Sequence, residues 1–222
     1  HRLGTGDVPF RRGAWSHDGQ VIAITGHEPN VRLWNAETGE SLGVIGEFTS
    51  GIIEVQFNPV SHQLAIADRD GNAGVWDPRT RMPLFQFEGV DESITEIRYT
   101  ADGSAILAVS PSGALRQFDA SNGTLISELE IESGIVISAV MVDGTELVVV
   151  ARQDGDVRLM NWTTGETIAR VTTDAPLNRV ELSPDRANLL VSSRSQARVY
   201  SLRNLPDAPI RTQIVPTGEQ FA

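Results

Sequence analysis

Residues 52–87 read IIEVQFNPVSHQLAIADRDGNAGVWDPRTRMPLFQF, and this stretch decides the fold. Apolar and polar residues alternate over residues 53–57 and 83–87, as they do in half-buried strands. The short apolar run over 63–67 indicates a strand that is covered on both faces, and residues 73–76 are predicted to form a third strand. Asn-Pro, Asp-Gly and Asp-Pro pairs separate the four segments, and these residue types favour turns. The stretch therefore predicts four short antiparallel strands, called a, b, c and d, joined by hairpins.

The same pattern recurs along the whole chain. Equivalent large residues of strand c follow one another at intervals of 42 residues, and the last interval is 40, at Trp34, Trp76, Phe118, Met160 and Tyr200. The same interval connects an apolar position of strand b at Ile22, Leu64, Ile106, Val148 and Leu190. A period in this range marks stacked copies of one supersecondary unit. No segment shows a sustained helical period, so the chain is predicted to be all-β.

Four-stranded sheets repeated about an axis form a β-propeller, here with about five blades. A blade cannot bury both of its faces alone, so neighbouring blades cover them. The repeat core is expected to contain Trp15, Trp34, Phe57, Trp76, Tyr99, Phe118, Met141, Met160 and Tyr200. Three arrangements stay open: a closed five-bladed ring, an open arc capped by a partner, and a part of a longer propeller.

Domain boundaries follow from the repeat. We expect an N-terminal extension over residues 1–9, a propeller over 10–215 and a C-terminal tail over 216–222. The repeats are expected at about 10–46, 52–88, 94–130, 136–172 and 177–215.

Strand c carries a familiar motif. The segments that carry it are Val31-Arg32-Leu33-Trp34-Asn35, Gly74-Val75-Trp76-Asp77, Leu115-Arg116-Gln117-Phe118-Asp119 and Val157-Arg158-Leu159-Met160-Asn161. They resemble the signature of the WD-repeat family, and the resemblance extends over about residues 11–215. It implies a propeller that serves as an interaction scaffold. The family's usual Gly-His pair before strand a is missing, so its hydrogen-bond network is incomplete and the blades are expected to depend on packing.

Composition excludes several function classes. The net charge of −11 disfavours nucleic-acid binding, which requires phosphate neutralisation. Cysteine is absent, so disulfides and thiolate chemistry are excluded. The longest apolar stretches are too short to span a bilayer, and no transmembrane segment is expected. All 18 basic residues are arginine, which suggests a bacterial-type, GC-rich genome, with the compartment open between cytoplasmic and periplasmic or otherwise extracytoplasmic.

Motifs for catalysis or cofactors do not occur in the sequence. His1, His17, His27 and His62 lack the spacing of a zinc-binding helix, and no nucleophile elbow or phosphate-binding loop is present. Residues 68–72 lack the distant glutamate that a calcium loop needs. We therefore expect no enzyme activity, no cofactor, and no catalytic or metal-binding residues.

One charge pattern points to a partner. Acidic residues recur in the loops between strand d of one repeat and strand a of the next, at Glu47, Glu88, Asp91, Glu92, Glu130, Glu132 and Asp174. This set, called the acidic rim, predicts docking of a basic or arginine-rich protein surface. The first hypothesis is thus a non-catalytic scaffold or accessory subunit of a larger assembly, with membrane association of that assembly left open. The alternatives are a propeller enzyme or a ligand or metal binder with a site at the central channel, and a sensor or regulatory domain of a longer protein.

Overall fold

The computed structural model describes residues 10–46, 48–88, 90, 93–132, 134–142, 144–194 and 196–202, and the backbone of 212–215. All regular secondary structure within these residues is β-strand. None of the described residues belongs to a helix with the length and apolar character needed to cross a membrane. The chain divides into two compact units, one running to Ser110 and including Leu115–Glu128, the other formed by Pro111–Ala114 and the residues from Leu129 onward.

The first unit holds the first two sheets and most of the third. The first sheet contains β1 (Arg12–Trp15), β2 (Val21–Thr25), β3 (Val31–Asn35) and β4 (Ser41–Ile45). The second sheet contains β5 (Ile52–Phe57), β6 (Leu64–Asp68), β7 (Ala73–Asp77) and β8 (Met82–Gln86). The third sheet contains β9 (Glu96–Tyr99), β10 (Ala105–Val109), β11 (Ala114–Asp119) and β12 (Leu125–Glu130).

The second unit holds the last two sheets. The fourth sheet contains β13 (Val136–Val142), β14 (Leu147–Arg152), β15 (Asp156–Asn161) and β16 (Thr167–Thr172). The fifth sheet contains β17 (Leu177–Leu182), β18 (Asn188–Ser193), β19 (Ala197–Ser201) and β20 (Thr212–Val215). In every sheet the strands lie side by side in sequence order. The prediction of an all-β chain built from four-stranded units is confirmed.

Matching positions of strands a, b and c form one apolar row across each sheet. In the second sheet Phe57 pairs with Leu64, and Leu64 pairs with Trp76. These three residues are buried in a cluster shared with Leu33 and Ile45 of the first sheet. The row of the second sheet therefore faces the first sheet, which is how an alternating pattern places one face of a strand in a core.

The third sheet repeats this packing against the second. Tyr99, Ile106 and Phe118 form its row and share a cluster with Val75 and Phe87 of the second sheet. Strands a of these two sheets are also joined directly, because the Tyr99 amide donates a hydrogen bond to the Gln56 side chain at 2.7 Å. Packing and polar contacts thus align the second and third sheets within the first unit.

The fifth sheet departs from the interval seen in the sequence. Its row consists of Leu182, Leu189 and Tyr200, which pack toward Val149 and Leu159 of the fourth sheet. Leu190, which the 42-residue interval selects, points the other way and is exposed. The interval is wrong here because neighbouring residues of a strand face opposite sides, so a slip of one residue reverses the side chain.

The expected core residues fall into three groups by exposure. Phe57, Trp76, Tyr99, Phe118, Met160 and Tyr200 are buried, whereas Trp34 and Met141 are half-buried. Trp15 contradicts the expectation, since it is 62% exposed. Its equivalents Phe57 and Tyr99 are buried against a preceding sheet, but Trp15 lies in the first described sheet, and no earlier sheet of the described chain precedes it.

Candidate interaction surfaces

The row of the first sheet presents an apolar surface to solvent. Trp15 pairs with Ile22, and Ile22 pairs with Trp34, so the three side chains lie next to one another. Ile22 and Trp34 are half-buried, and Trp15 is largely exposed. In the second, third and fifth sheets the matching row packs against the preceding sheet. Large exposed apolar side chains grouped in this way mark interaction surfaces.

A groove lies between the first two sheets, within the first unit. Its volume is about 480 Å³. Its lining includes Val44, Phe48, Thr49, Trp76, Arg81 and Met82. Trp76 and Phe48 both line it, with 5.2 Å between their ring centroids. The lining of the groove thus combines two aromatic rings with a guanidinium group.

Arg81 ties the two sheets together beside this groove. Its Nη1 donates a hydrogen bond to the Leu42 carbonyl at 2.9 Å. A Cβ atom on Gly43 would come within 2.3 Å of Arg81 Nη1, so a side chain there would displace the guanidinium group. Gly43 also has a φ of +113°, a conformation that side-chain-bearing residues rarely adopt.

The acidic rim is only partly described by the structure. Glu47, Asp91 and Glu92 lie outside the described residues. Glu88 is exposed in the first unit, and Glu130, Glu132 and Asp174 are exposed in the second. Asp174 lies 3.5 Å from Arg198, so part of its charge is offset within the chain. The rim as a docking surface stays a prediction.

A cluster of arginines surrounds one buried aspartate in the fourth sheet. The carboxylate of Asp156 is 3% exposed. It accepts hydrogen bonds from Arg152 Nη1 at 3.0 Å and from Arg158 Nε at 2.7 Å, and a third from Arg170 Nε. Arg152 also contacts Asp154 at 3.2 Å. Two carboxylates therefore compensate three guanidinium groups. This cluster is locally positive although the net charge of the whole protein is −11.

Comparison with the third sheet shows what is unusual about this cluster. Arg158 pairs directly with Arg170 across β15 and β16, although like charges at facing positions destabilise a sheet. One repeat earlier, Arg116 contacts Glu128 at 2.9 Å. The fourth sheet replaces that glutamate with arginine and supplies Asp156 instead. Asp156 was not among the residues that the sequence singled out. The signal that could have identified it is its position two residues before Arg158, on the same face of the strand.

The cluster makes stability dependent on pH. Burial alone raises the pKa of Asp156, but hydrogen bonds from Arg170 and Arg158 outweigh it and hold the pKa below its ordinary value. The stabilisation is thus complete above the ordinary aspartate pKa of about 4 and is lost as the pH falls through the folded-state pKa. We expect the gap in urea midpoint between the wild type and Asp156→Asn to be largest at pH 7 and to shrink below about pH 4. A gap that is unchanged at low pH would contradict this assignment.

Carboxylates of strand a do not gather into a site within the described residues. Glu54 lies 3.6 Å from Arg12, and Glu96 lies 2.7 Å from Arg98. The part of the chain that the structure describes contains one group of three His, Asp or Glu side chains close enough to share a cation, and it lies in the turns, at His17, Asp18 and His62. A channel site built from convergent carboxylates therefore finds no support in these residues.

The sheets and the strand-c motif define the class of protein: the chain is a WD-repeat β-propeller protein. It is similar, over 98% of its length and 67% of the relative, to eukaryotic translation initiation factor 3 subunit I of Emericella nidulans, with 24% identity. The subunit I of Aspergillus terreus is 29% identical over 91% of this chain and 65% of that protein. The chain thus spans about two thirds of these relatives. No family model matches it.

Two further comparisons concern the fold. A DENN domain and WD repeat-containing protein of Arabidopsis thaliana is 25% identical over 54% of this chain and 10% of that protein. A chain in the crystal structure of a mitotic checkpoint complex superposes with a TM-score of 0.81 at 14% identity, covering 97% of this chain and 67% of its own length. At that identity the likeness shows the propeller fold alone.

The expectation of a bacterial-type chain with an open, periplasmic alternative is wrong. The relatives that match most of the chain are subunits of a eukaryotic translation initiation factor from fungi. The absence of lysine misled the interpretation, because the choice of arginine over lysine reflects base composition as much as protein chemistry. It indicates neither a kingdom nor a compartment.

Proposed function

We propose that this protein is an accessory subunit of a multisubunit assembly related to eukaryotic translation initiation factor 3, and that it binds other protein subunits. The observation that carries the proposal is the match along 91–98% of the chain to subunit I of that factor in several fungi. Partner binding is further supported by the exposed row of the first sheet, where Trp15 is open to solvent. We propose that a partner covers this row in the assembly.

A purification experiment tests this function. The full-length protein would be tagged in the cells that produce it, isolated at physiological salt, and its companions quantified by mass spectrometry. We expect other subunits of a translation initiation factor at a ratio near one to one. Trp15→Arg, which keeps the fold because the side chain is exposed, should reduce this recovery. Isolation of the protein alone, or with unrelated proteins in small amounts, would overturn the proposal.

A role without catalysis belongs to the same proposal. Among the described residues, the one group of three His, Asp or Glu side chains close enough to share a cation lies in turns and not at strand a. A fold by itself does not fix a function, so the absence of catalysis stays part of the proposal.

A finer proposal concerns the chemistry of a partner. Glu88 and Glu132 are exposed acidic rim residues, and a basic or arginine-rich partner surface would complement them. We expect the double variant Glu88→Arg and Glu132→Arg to slow partner association and to flatten its dependence on salt, because long-range attraction sets that dependence. Stopped-flow or surface-binding kinetics at several salt concentrations would measure it.

Its matched control reverses two exposed acidic residues outside the rim. Glu37 and Glu40 lie in and next to the turn between β3 and β4. Glu37→Arg with Glu40→Arg changes the net charge by the same amount, so it separates local docking from total charge. Equal slowing in both double variants would remove the acidic rim as a docking surface.

A further inference from the structure

Three side chains from two neighbouring turns meet in the first unit. His17 and Asp18 lie in the turn between β1 and β2, and His62 lies in the turn between β5 and β6. The imidazole rings of His17 and His62 are 4.6 Å apart between centroids, at an angle of 63°. Asp18 Oδ2 is 3.7 Å from His62 Nδ1. One potential ligand atom from each residue lies within 4.8 Å of the other two.

One oxygen of the Asp18 carboxylate accepts hydrogen bonds that orient the group, and the other oxygen remains available to a cation. Its Oδ1 accepts hydrogen bonds from Ser16 Oγ at 2.6 Å and from the Gln20 amide at 3.1 Å. These bonds fix the orientation of the group and leave Oδ2 at 3.7 Å from His62 Nδ1. The same hydrogen bonds, led by that from Ser16, hold the pKa of Asp18 below its ordinary value, so the carboxylate is ionised at neutral pH.

Equivalent turns in other repeats show which contacts belong to the repeat itself and which residues are specific to this cluster. Asp102 accepts a hydrogen bond from Thr100 Oγ1 at 2.6 Å, and Asp185 accepts one from Ser183 Oγ at 2.5 Å. The position of His17 is occupied there by Ala101 and Pro184, and the sequence has no histidine after residue 62. The hydroxyl–aspartate turn is therefore a feature of the repeat. The two histidines are not needed for it.

Imidazole nitrogen and carboxylate oxygen are ligands that Zn²⁺ accepts together. With metal–ligand distances of about 2.1 Å and tetrahedral angles, neighbouring ligand atoms lie about 3.4 Å apart. The present separations, of at most 4.8 Å, exceed this by up to about 1.4 Å, which rotations of these partly exposed side chains can close. We propose that His17, Asp18 and His62 bind one divalent cation of the zinc type, with water completing the coordination. The ion would connect the first and second sheets through their turns.

The test uses the full-length protein without an affinity tag, stripped of metal by a chelator. Isothermal titration with Zn²⁺ is expected to show one ion per chain, and saturating Zn²⁺ should raise the melting temperature, because a ligand of the folded state stabilises it. His17→Ala and His62→Ala should each weaken Zn²⁺ binding by at least about tenfold, since even loss of an outer-shell partner costs 10–100-fold. Co²⁺ in place of Zn²⁺ should give the absorption of a tetrahedral site.

Two control variants are available in the chain. His27→Ala removes an exposed histidine that contacts Arg11 instead, and Asp102→Asn alters the equivalent turn aspartate. Both should bind Zn²⁺ as the wild type does. Far-UV circular dichroism and metal-free urea midpoints establish that each variant is folded. Wild-type affinity in His17→Ala and His62→Ala, or no saturable Zn²⁺ binding by the wild type, would overturn the proposal.

Discussion

Phe118→Ala is expected to lower the free energy of unfolding by about 3–5 kcal/mol, the range for truncation of a large buried aromatic side chain. Phe118 is fully buried and belongs to the row by which the third sheet packs on the second. Its ring stacks on Phe87 with 4.5 Å between centroids and 14° between planes. Truncation leaves a cavity between two sheets whose strands cannot close without breaking their ladders. Urea unfolding followed by circular dichroism measures the loss.

The matched control for Phe118→Ala is Trp15→Ala. Both residues occupy the same row of the repeat, but Trp15 is 62% exposed. The control should change the free energy of unfolding by no more than about 0.5 kcal/mol, as surface substitutions do. If Phe118→Ala does not fold, Phe118→Leu should show a smaller loss of the same sign. Similar losses in Trp15→Ala and Phe118→Ala would contradict the row packing described above.

Asp156→Asn is expected to cost about 3–5 kcal/mol at neutral pH, because removing one member of a buried ionic group leaves charges uncompensated. Arg152, Arg158 and Arg170 all donate to this carboxylate, and Arg158 faces Arg170 directly. Asp154→Asn serves as the control. Asp154 is mostly exposed and contacts Arg152 alone within the described ion pairs, so its loss should cost less than about 1 kcal/mol.

A second substitution checks the mechanism of the Asp156 effect. Arg170→Glu recreates at the fourth sheet the pair that Arg116 and Glu128 form in the third. Added to Asp156→Asn, it should recover part of the lost stability, because Arg158 regains a partner. A double variant less stable than Asp156→Asn alone would show that charge compensation is not the cause.

Most of the architecture could be predicted from the sequence because the same pattern of residues occurs in five repeats. The 42-residue interval placed Phe57, Trp76 and Phe118 at matching positions, and alternation put them on one face. It failed at Trp15, since periodicity reports where a residue sits in its sheet and not whether another sheet covers it. The interval failed at Leu190 because the last repeat is shorter. Neighbouring residues of a strand face opposite sides, so the loss of one residue places Leu190 on the opposite face of its sheet.

The candidate sites were harder to predict for a different reason. His17 and His62 are 45 residues apart, and their meeting depends on the spatial adjacency of two turns in neighbouring repeats. The cluster at Asp156 depends on the register between β15 and β16, which sets Arg158 opposite Arg170. Spacing alone gives no register across strands. Combining the period with the alternation of strand c would have put Asp156 and Arg158 on one face, but not Arg170 beside them.

The most direct test of the interaction role is the accessibility of Trp15 before and after assembly. A variant with Trp15 as its sole tryptophan, the other three replaced by phenylalanine, would be measured by iodide quenching of fluorescence. We predict strong quenching and solvent-like emission for the isolated protein, and marked protection in the assembly purified with its partner subunits. Trp15 that is equally quenched in both states, or already protected in the isolated protein, would contradict the claim that partners cover this face.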